Sequence, residues 1–160
     1  MTGDPYLRLR PPRGTPPDEI CGCSTEEALV LQGRLDPNPL ACIRCNGEVP
    51  PERVPLPADL VDEIASWRNL HDALFQLWLD SGEYETWAIA ELSTPGKPVQ
   101  TRGLALVAKL HAIRPTYFRW FSDQSTDPPT ILSRCPQCSG EFTHLVRGRA
   151  CTLCRVAVCP

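Results

Sequence analysis

What this 160-residue chain lacks narrows its function first. No apolar run approaches the ~20 residues that a membrane-spanning helix needs, so no membrane partner is expected. The opening MTGDPYLRLRPPRG has no apolar core of a secretory signal. A cytoplasmic location is therefore expected, where thiols stay reduced and a disulfide framework is an unnatural use of cysteine. An overall basic charge is also missing. The net charge is −3, which argues against indiscriminate binding to phosphate backbones.

Catalytic signatures are equally scarce. There is no P-loop, no Gly-x-Ser-x-Gly and no dinucleotide fingerprint. CPQC occurs, but the His-x-Glu that a zinc deaminase pairs with such a motif does not. The three histidines are scattered. His71 falls on an apolar helical stripe and reads as a satisfied core or edge histidine. His111, in a predicted helix, and His144, on a predicted strand, read as solvent-facing or surface-contact residues. No enzyme activity and no small-molecule substrate are expected.

What the chain has in plenty is cysteine, nine residues in all. Eight fall into four close pairs: Cys21/Cys23, Cys42/Cys45, Cys135/Cys138 and Cys151/Cys154. In RCPQCSGEFTHLVRGRACTLCRV, residues 134 to 156, two Cys-x-x-Cys pairs stand twelve residues apart, close to the spacing of structural zinc sites. A Cys-x-x-Cys turn presents two sulfurs on one side, and a following Gly or Asn eases the turn because it tolerates positive φ. Cys45 is followed by Asn46-Gly47 and Cys138 by Ser139-Gly140. In the C-terminal set EFTHLV reads as an outgoing strand, RGR as a turn and RVAV as the return strand. The N-terminal set is less regular, since Cys21-Gly22-Cys23 has one spacer and eighteen residues separate Cys23 from Cys42.

Two structural zinc ions are expected, one on Cys21, Cys23, Cys42 and Cys45, the other on Cys135, Cys138, Cys151 and Cys154. Arg44, Arg134 and Arg155 lie near enough in sequence to offset the excess thiolate charge. A thioredoxin-like pair would open a helix within a βαβ unit, which these turn-rich segments do not suggest. Cys159 is left over and reads as a free or strand-end thiol, the sharper alternative being that it replaces one of the ligands.

Between the cysteine sets lies the most periodic stretch, ADLVDEIASWRNLHDALFQLWLDSG. Leu60, Ile64, Trp67, His71, Leu74 and Trp78 recur at steps of three and four, which predicts a helix of about six turns. Pro57 suits its first turn and Gly82 its stop. EYETWAIAEL predicts a short second helix, TPGKPVQ a break, and TRGLALVAKLHAI a third helix. TYFRWFSD is a strand or a helical continuation, and YLRLR (Tyr6 to Arg10) and ALVLQG read as strands. The expected class is α+β, a three-helix middle flanked by two zinc-ribbon-like four-cysteine modules. Residues 1–50 form the N-terminal module, 51–122 the helical middle, 123–132 a linker and 133–160 the C-terminal ribbon.

Charge is divided along the chain. Residues 1–100 carry sixteen acids and eight bases, whereas residues 101–160 carry three acids and eight bases. The basic final third leaves room for nucleic acid at the ribbon, through Phe142, His144, Arg147, Arg149 and Arg155, because arginines interleaved with aromatics suit phosphate contact and base stacking. The run Tyr117 to Phe121 reads rather as core. The alternative partner is a protein, with the acidic helical middle serving an adaptor, regulator or immunity-type role.

The segments CIRCNGEVPPERVPLPADL, LWLDSGEYETWA, GLALVAKL, RPTYFRWF and CPQCSG…CTLC together resemble a family of small, uncharacterised bacterial zinc-ribbon proteins described as candidate nucleic-acid binders. The resemblance spans most of residues 42 to 154. It implies no established activity and adds weight to the nucleic-acid reading.

Overall fold

A computed structural model describes residues 14–23, 27–33, 38–129 and 131–158. The expected strand at Tyr6 to Arg10 and the leftover Cys159 lie outside the described residues.

Helix α1 (Ala58–Asp80) buries Leu60, Ile64, Trp67, His71 and Leu74, the stripe that periodicity predicts. Pro57 stands just before it, at the N-cap with extended backbone, and not within its first turn. At the far end Gly82 takes φ +69°, the left-handed conformation in which a glycine costs no Cβ clash. Helix α2 (Glu85–Ser93) turns Ala88 and Leu92 inward and packs on α1. Helix α3 (Pro98–Ile113) starts three residues before the predicted one. The break read at TPGKPVQ is shorter because Pro98 suits a helix start, where its missing N–H would have had no helical partner.

Two buried side chains tie these helices together. Trp67 Nε1 donates to the carbonyl of Val99 at 2.8 Å. Gln100 Nε2 donates to the carbonyl of Glu91 at 3.0 Å, near the end of α2, where carbonyls run out of helical partners.

The strands β1 (Leu29–Leu31), β2 (Leu40–Cys42), β3 (Thr116–Arg119), β4 (Thr143–His144), β5 (Arg149–Cys151) and β6 (Val156–Val158) form one mixed sheet, ordered β2-β1-β3-β6-β5-β4. β3 is the strand reading of TYFRWFSD, and it lies parallel to β1 on one side and to β6 on the other. β1–β2 and β4–β5–β6 are antiparallel. Strands from both cysteine-bearing ends therefore share one sheet, joined through β3. Arg149 opens β5 rather than sitting in the turn that RGR suggests.

The main core lies between helices and sheet, where Leu31, Phe118 and Val156 meet Trp67, Leu106 and Leu110. Two glycines let the layers close. A Cβ on Gly33, just after β1, would lie 1.7 Å from the His71 ring, and one on Gly103 in α3 would lie 2.3 Å from the Phe118 ring.

His71 is a core residue, 7% exposed. It is not satisfied: its Nδ1 has no hydrogen-bond partner among the described residues. Burial pushes its pKa down to about 4, so the ring is neutral at physiological pH. His111 does not simply face solvent either. Its Nδ1 accepts from the Thr116 backbone N–H at 3.1 Å, tying the end of α3 to the start of β3.

Candidate metal centres

The structure gathers Cys21, Cys23, Cys42 and Cys45 into one group and Cys135, Cys138, Cys151 and Cys154 into another, the sulfurs of each group all lying within 4.8 Å of one another. None of the eight is in a disulfide. The Cys42 and Cys23 sulfurs are 3.9 Å apart, and those of Cys138 and Cys151 are 3.7 Å apart. A disulfide would need ~2.05 Å. The edge of a tetrahedron of sulfurs around an ion with metal–sulfur distances of ~2.3 Å is ~3.8 Å. Both groups therefore fit a four-coordinate metal ion.

Local backbone geometry explains why the sulfurs converge. Asn46, Ser139 and Arg155 each follow the second cysteine of a Cys-x-x-Cys, and each takes positive φ, at 60°, 58° and 56°. This left-handed step reverses the chain and turns the next amides toward the cysteines. Asn46 N–H donates to the Cys42 carbonyl at 2.8 Å, and Ser139 N–H to the Cys135 carbonyl at 2.8 Å. Gly47 N–H points at Cys45 Sγ and Gly140 N–H at Cys138 Sγ, both at 3.4 Å, and Cys154 N–H points at Cys151 Sγ at the same distance. Asn46 and Ser139 were legible as turn residues. Arg155 was not, because an arginine carries no propensity for that conformation. Its position after the second cysteine is the signal that could have found it.

The irregular Cys21-Gly22-Cys23 arm is held by longer-range contacts. Cys21 N–H donates to the Glu48 carbonyl at 2.7 Å, and Arg53 Nη1 donates to the Cys21 carbonyl at 2.6 Å. Gly47 allows this approach, since a Cβ there would come within 2.9 Å of the Cys21 nitrogen. Asn38 braces the opposite side, its Nδ2 donating to the Val49 carbonyl at 2.7 Å. Sequence reasoning missed Arg53 and Asn38, because the carbonyls they reach at Cys21 and Val49 lie 32 and 11 residues away.

As thiols, the members of each set hold their protons unequally. Sharing a hydrogen bond with Cys45 raises Cys23 to about 12, whereas Cys45 is lowered: burial pushes it up, but the Gly47 N–H and its three neighbours outweigh that. Burial raises Cys135 and Cys154, while the Gly140 N–H, followed by Cys154, lowers Cys138. Metal binding to such a set releases protons, so affinity must fall as pH falls.

The five residues of the candidate nucleic-acid surface do not form one exposed patch. Phe142 packs on the main core, and the Arg149 guanidinium lies over its ring, 5.4 Å from the centroid. Arg149 Nη2 also donates to the Leu132 carbonyl at 2.8 Å. Arg155 is half-buried at its left-handed step. His144 and Arg147 are exposed, as is Arg134, whose Nη1 donates to the Ser139 carbonyl at 3.0 Å. Of the arginines expected to offset thiolate charge, Arg44 pairs with Glu27 at 3.1 Å. No helix of the described residues is long and apolar enough to cross a membrane.

Comparison with protein-family models, with curated proteins and with solved structures finds no match to this chain.

Proposed function

We propose that the chain is a non-enzymatic, cytoplasmic binding protein in which each four-cysteine set holds a structural zinc ion, and whose C-terminal ribbon contacts nucleic acid. The observation that carries the zinc reading is the double convergence of four sulfurs within 4.8 Å. Four thiolates are a complete structural set with no position left for a substrate. A zinc ion so bound has a net charge of about −2, which the amides of Gly47, Gly140 and Cys154 aimed at sulfur help to offset. Elemental analysis of reduced protein should give about two zinc ions per chain, one per cysteine set. Well under one would end this reading.

The nucleic-acid reading is supported by the basic final third and by exposed Arg134, His144 and Arg147. With Phe142 and Arg149 engaged inside, it relies on phosphate contact more than base stacking. A labelled single-stranded oligonucleotide at low salt should bind and dissociate as salt rises, and Arg147→Glu with Arg134→Glu should weaken it. Absence of binding up to about 100 μM, at the edge of the non-specific range, would favour a protein partner. That second reading, an adaptor working through the acidic helical middle, has support in half-exposed Tyr84 and Trp87.

A further inference from the structure

The tip where α1 turns into α2 exposes more apolar surface than the fold requires. Trp87 is 52% exposed, Tyr84 56% and Leu79 52%. α2 already turns Ala88 and Leu92 inward, so Trp87 contributes little to the core. Leu77, Tyr84 and Trp87 line a shallow hollow of about 380 Å³. The turn beneath it is pinned, with Tyr84 N–H donating to Ser81 Oγ at 2.9 Å and Gly82 N–H to Glu85 Oε1 at 3.2 Å. A preformed hollow costs less entropy to occupy than one that must order first.

The surroundings say what would fill it. Asp80, Glu83 and Glu85, within three residues of the lining side chains in sequence, are exposed, and residues 58–93 carry eight acids against the single base Arg68. An apolar hollow on a strongly acidic helix pair matches an apolar side chain flanked by lysine or arginine. A nucleic-acid backbone would be repelled by the same acidic charge.

The geometry points to a protein-docking site at the α1–α2 tip, in which Trp87, Tyr84 and Leu77 receive an apolar anchor of a basic amphipathic segment, and Asp80 and Glu83 meet its cations. Trp and Tyr are the residues most often found at the energetic centre of such contacts. The site shares no residue with the hairpin; it rests on the protein-partner reading of the acidic helical middle and does not depend on the nucleic-acid reading.

The test uses the full zinc-loaded chain and a fluorescein-labelled amphipathic helical peptide of leucine and lysine, with a glutamate-for-lysine counterpart as control. Anisotropy should show binding of the lysine peptide only. Trp87→Ala should weaken it roughly tenfold or more, as loss of a binding hot spot does. Glu83→Lys and Asp80→Lys, exposed positions that leave the fold intact, should weaken it and flatten its salt dependence. Val61→Ala, an exposed apolar site elsewhere on α1, should change nothing. Equal binding of both peptides, no binding of either, or an unaffected Trp87→Ala would overturn the proposal. So would sedimentation showing a dimer that Trp87→Ala dissolves, because the occupant would then be a second copy of this chain.

Discussion

The two cysteine sets use the same turn chemistry, yet they are anchored to different parts of the molecule. The N-terminal set sits over its own small cluster, in which Cys21 and Cys42 pack with Leu29, Val49 and Val54. The C-terminal set belongs to the main core, where Cys135 and Cys151 join Trp67, Leu106, Phe118 and Val156. Its second knuckle also runs straight into the centre of the sheet: Arg155, the residue after Cys154, accepts at its carbonyl the Phe118 N–H at 2.7 Å. One motif thus serves as a local clasp at one end and as part of the global fold at the other. What a four-cysteine site stabilises depends on which core its strands enter.

The comparison breaks most sharply at the ligands. Structural zinc sites contribute roughly 10–16 kcal/mol of apparent binding free energy, as much as a whole domain's ~5–15 kcal/mol of stability. Cys151→Ser should abolish one site and, with it, the near-UV dichroism of the packed tryptophans Trp67 and Trp120. Cys42→Ser should also cost one ion but leave that signal largely intact, because the helices and β3 to β6 keep their packing. Identical collapse of both variants, read by near-UV dichroism and metal content, would show the sets to be equivalent.

A smaller effect is expected where the layers touch. Gly33→Ala on the N-terminal side drives a methyl into the His71 ring, and the overpacking should cost about 3 kcal/mol in urea unfolding. Gly103→Ala on the central side meets the Phe118 ring less closely, and about 1 kcal/mol of gained helix propensity offsets part of the clash. Gly33→Ala should therefore be the worse of the two, and the reverse order would mean that the first set's half of the sheet yields more easily.

Acid gives the gentlest probe. Burial lowers the His71 pKa to about 4, below the ~6.5 of the unfolded chain. Between those values the unfolded state binds the extra proton, so stability present above pH 6.5 is lost as pH falls toward 4. The loss amounts to about 3 kcal/mol. His71→Leu removes both the titration and the unpartnered Nδ1, so its stability should exceed that of the parent most at pH 5 and least at pH 8. Parallel pH curves for the two proteins, measured with zinc in excess, would contradict this.

The helix stripe of α1 was legible because a period near 3.6 is written into neighbouring residues. The ligand sets were legible because a Cys-x-x-Cys turn is a local device. Other features had no local signature. Phe142 and Arg149 looked like a surface for bases, yet one is packed on the core and the other stacked on it. His71 looked satisfied, but its surroundings are two aromatic rings, Trp67 and Phe75, and the close backbone of Gly33.

By itself the sequence determined which eight cysteines can act together, where the long helix runs and that charge divides between an acidic middle and a basic final third. Only the tertiary structure decided that residues 29–31 lie beside 116–118, and 118–119 beside 156–157, so that both cysteine-bearing ends enter one sheet. Parallel pairing joins segments far apart in the chain, and no short-range pattern encodes the partner. It is settled by which apolar faces the helices can cover at once.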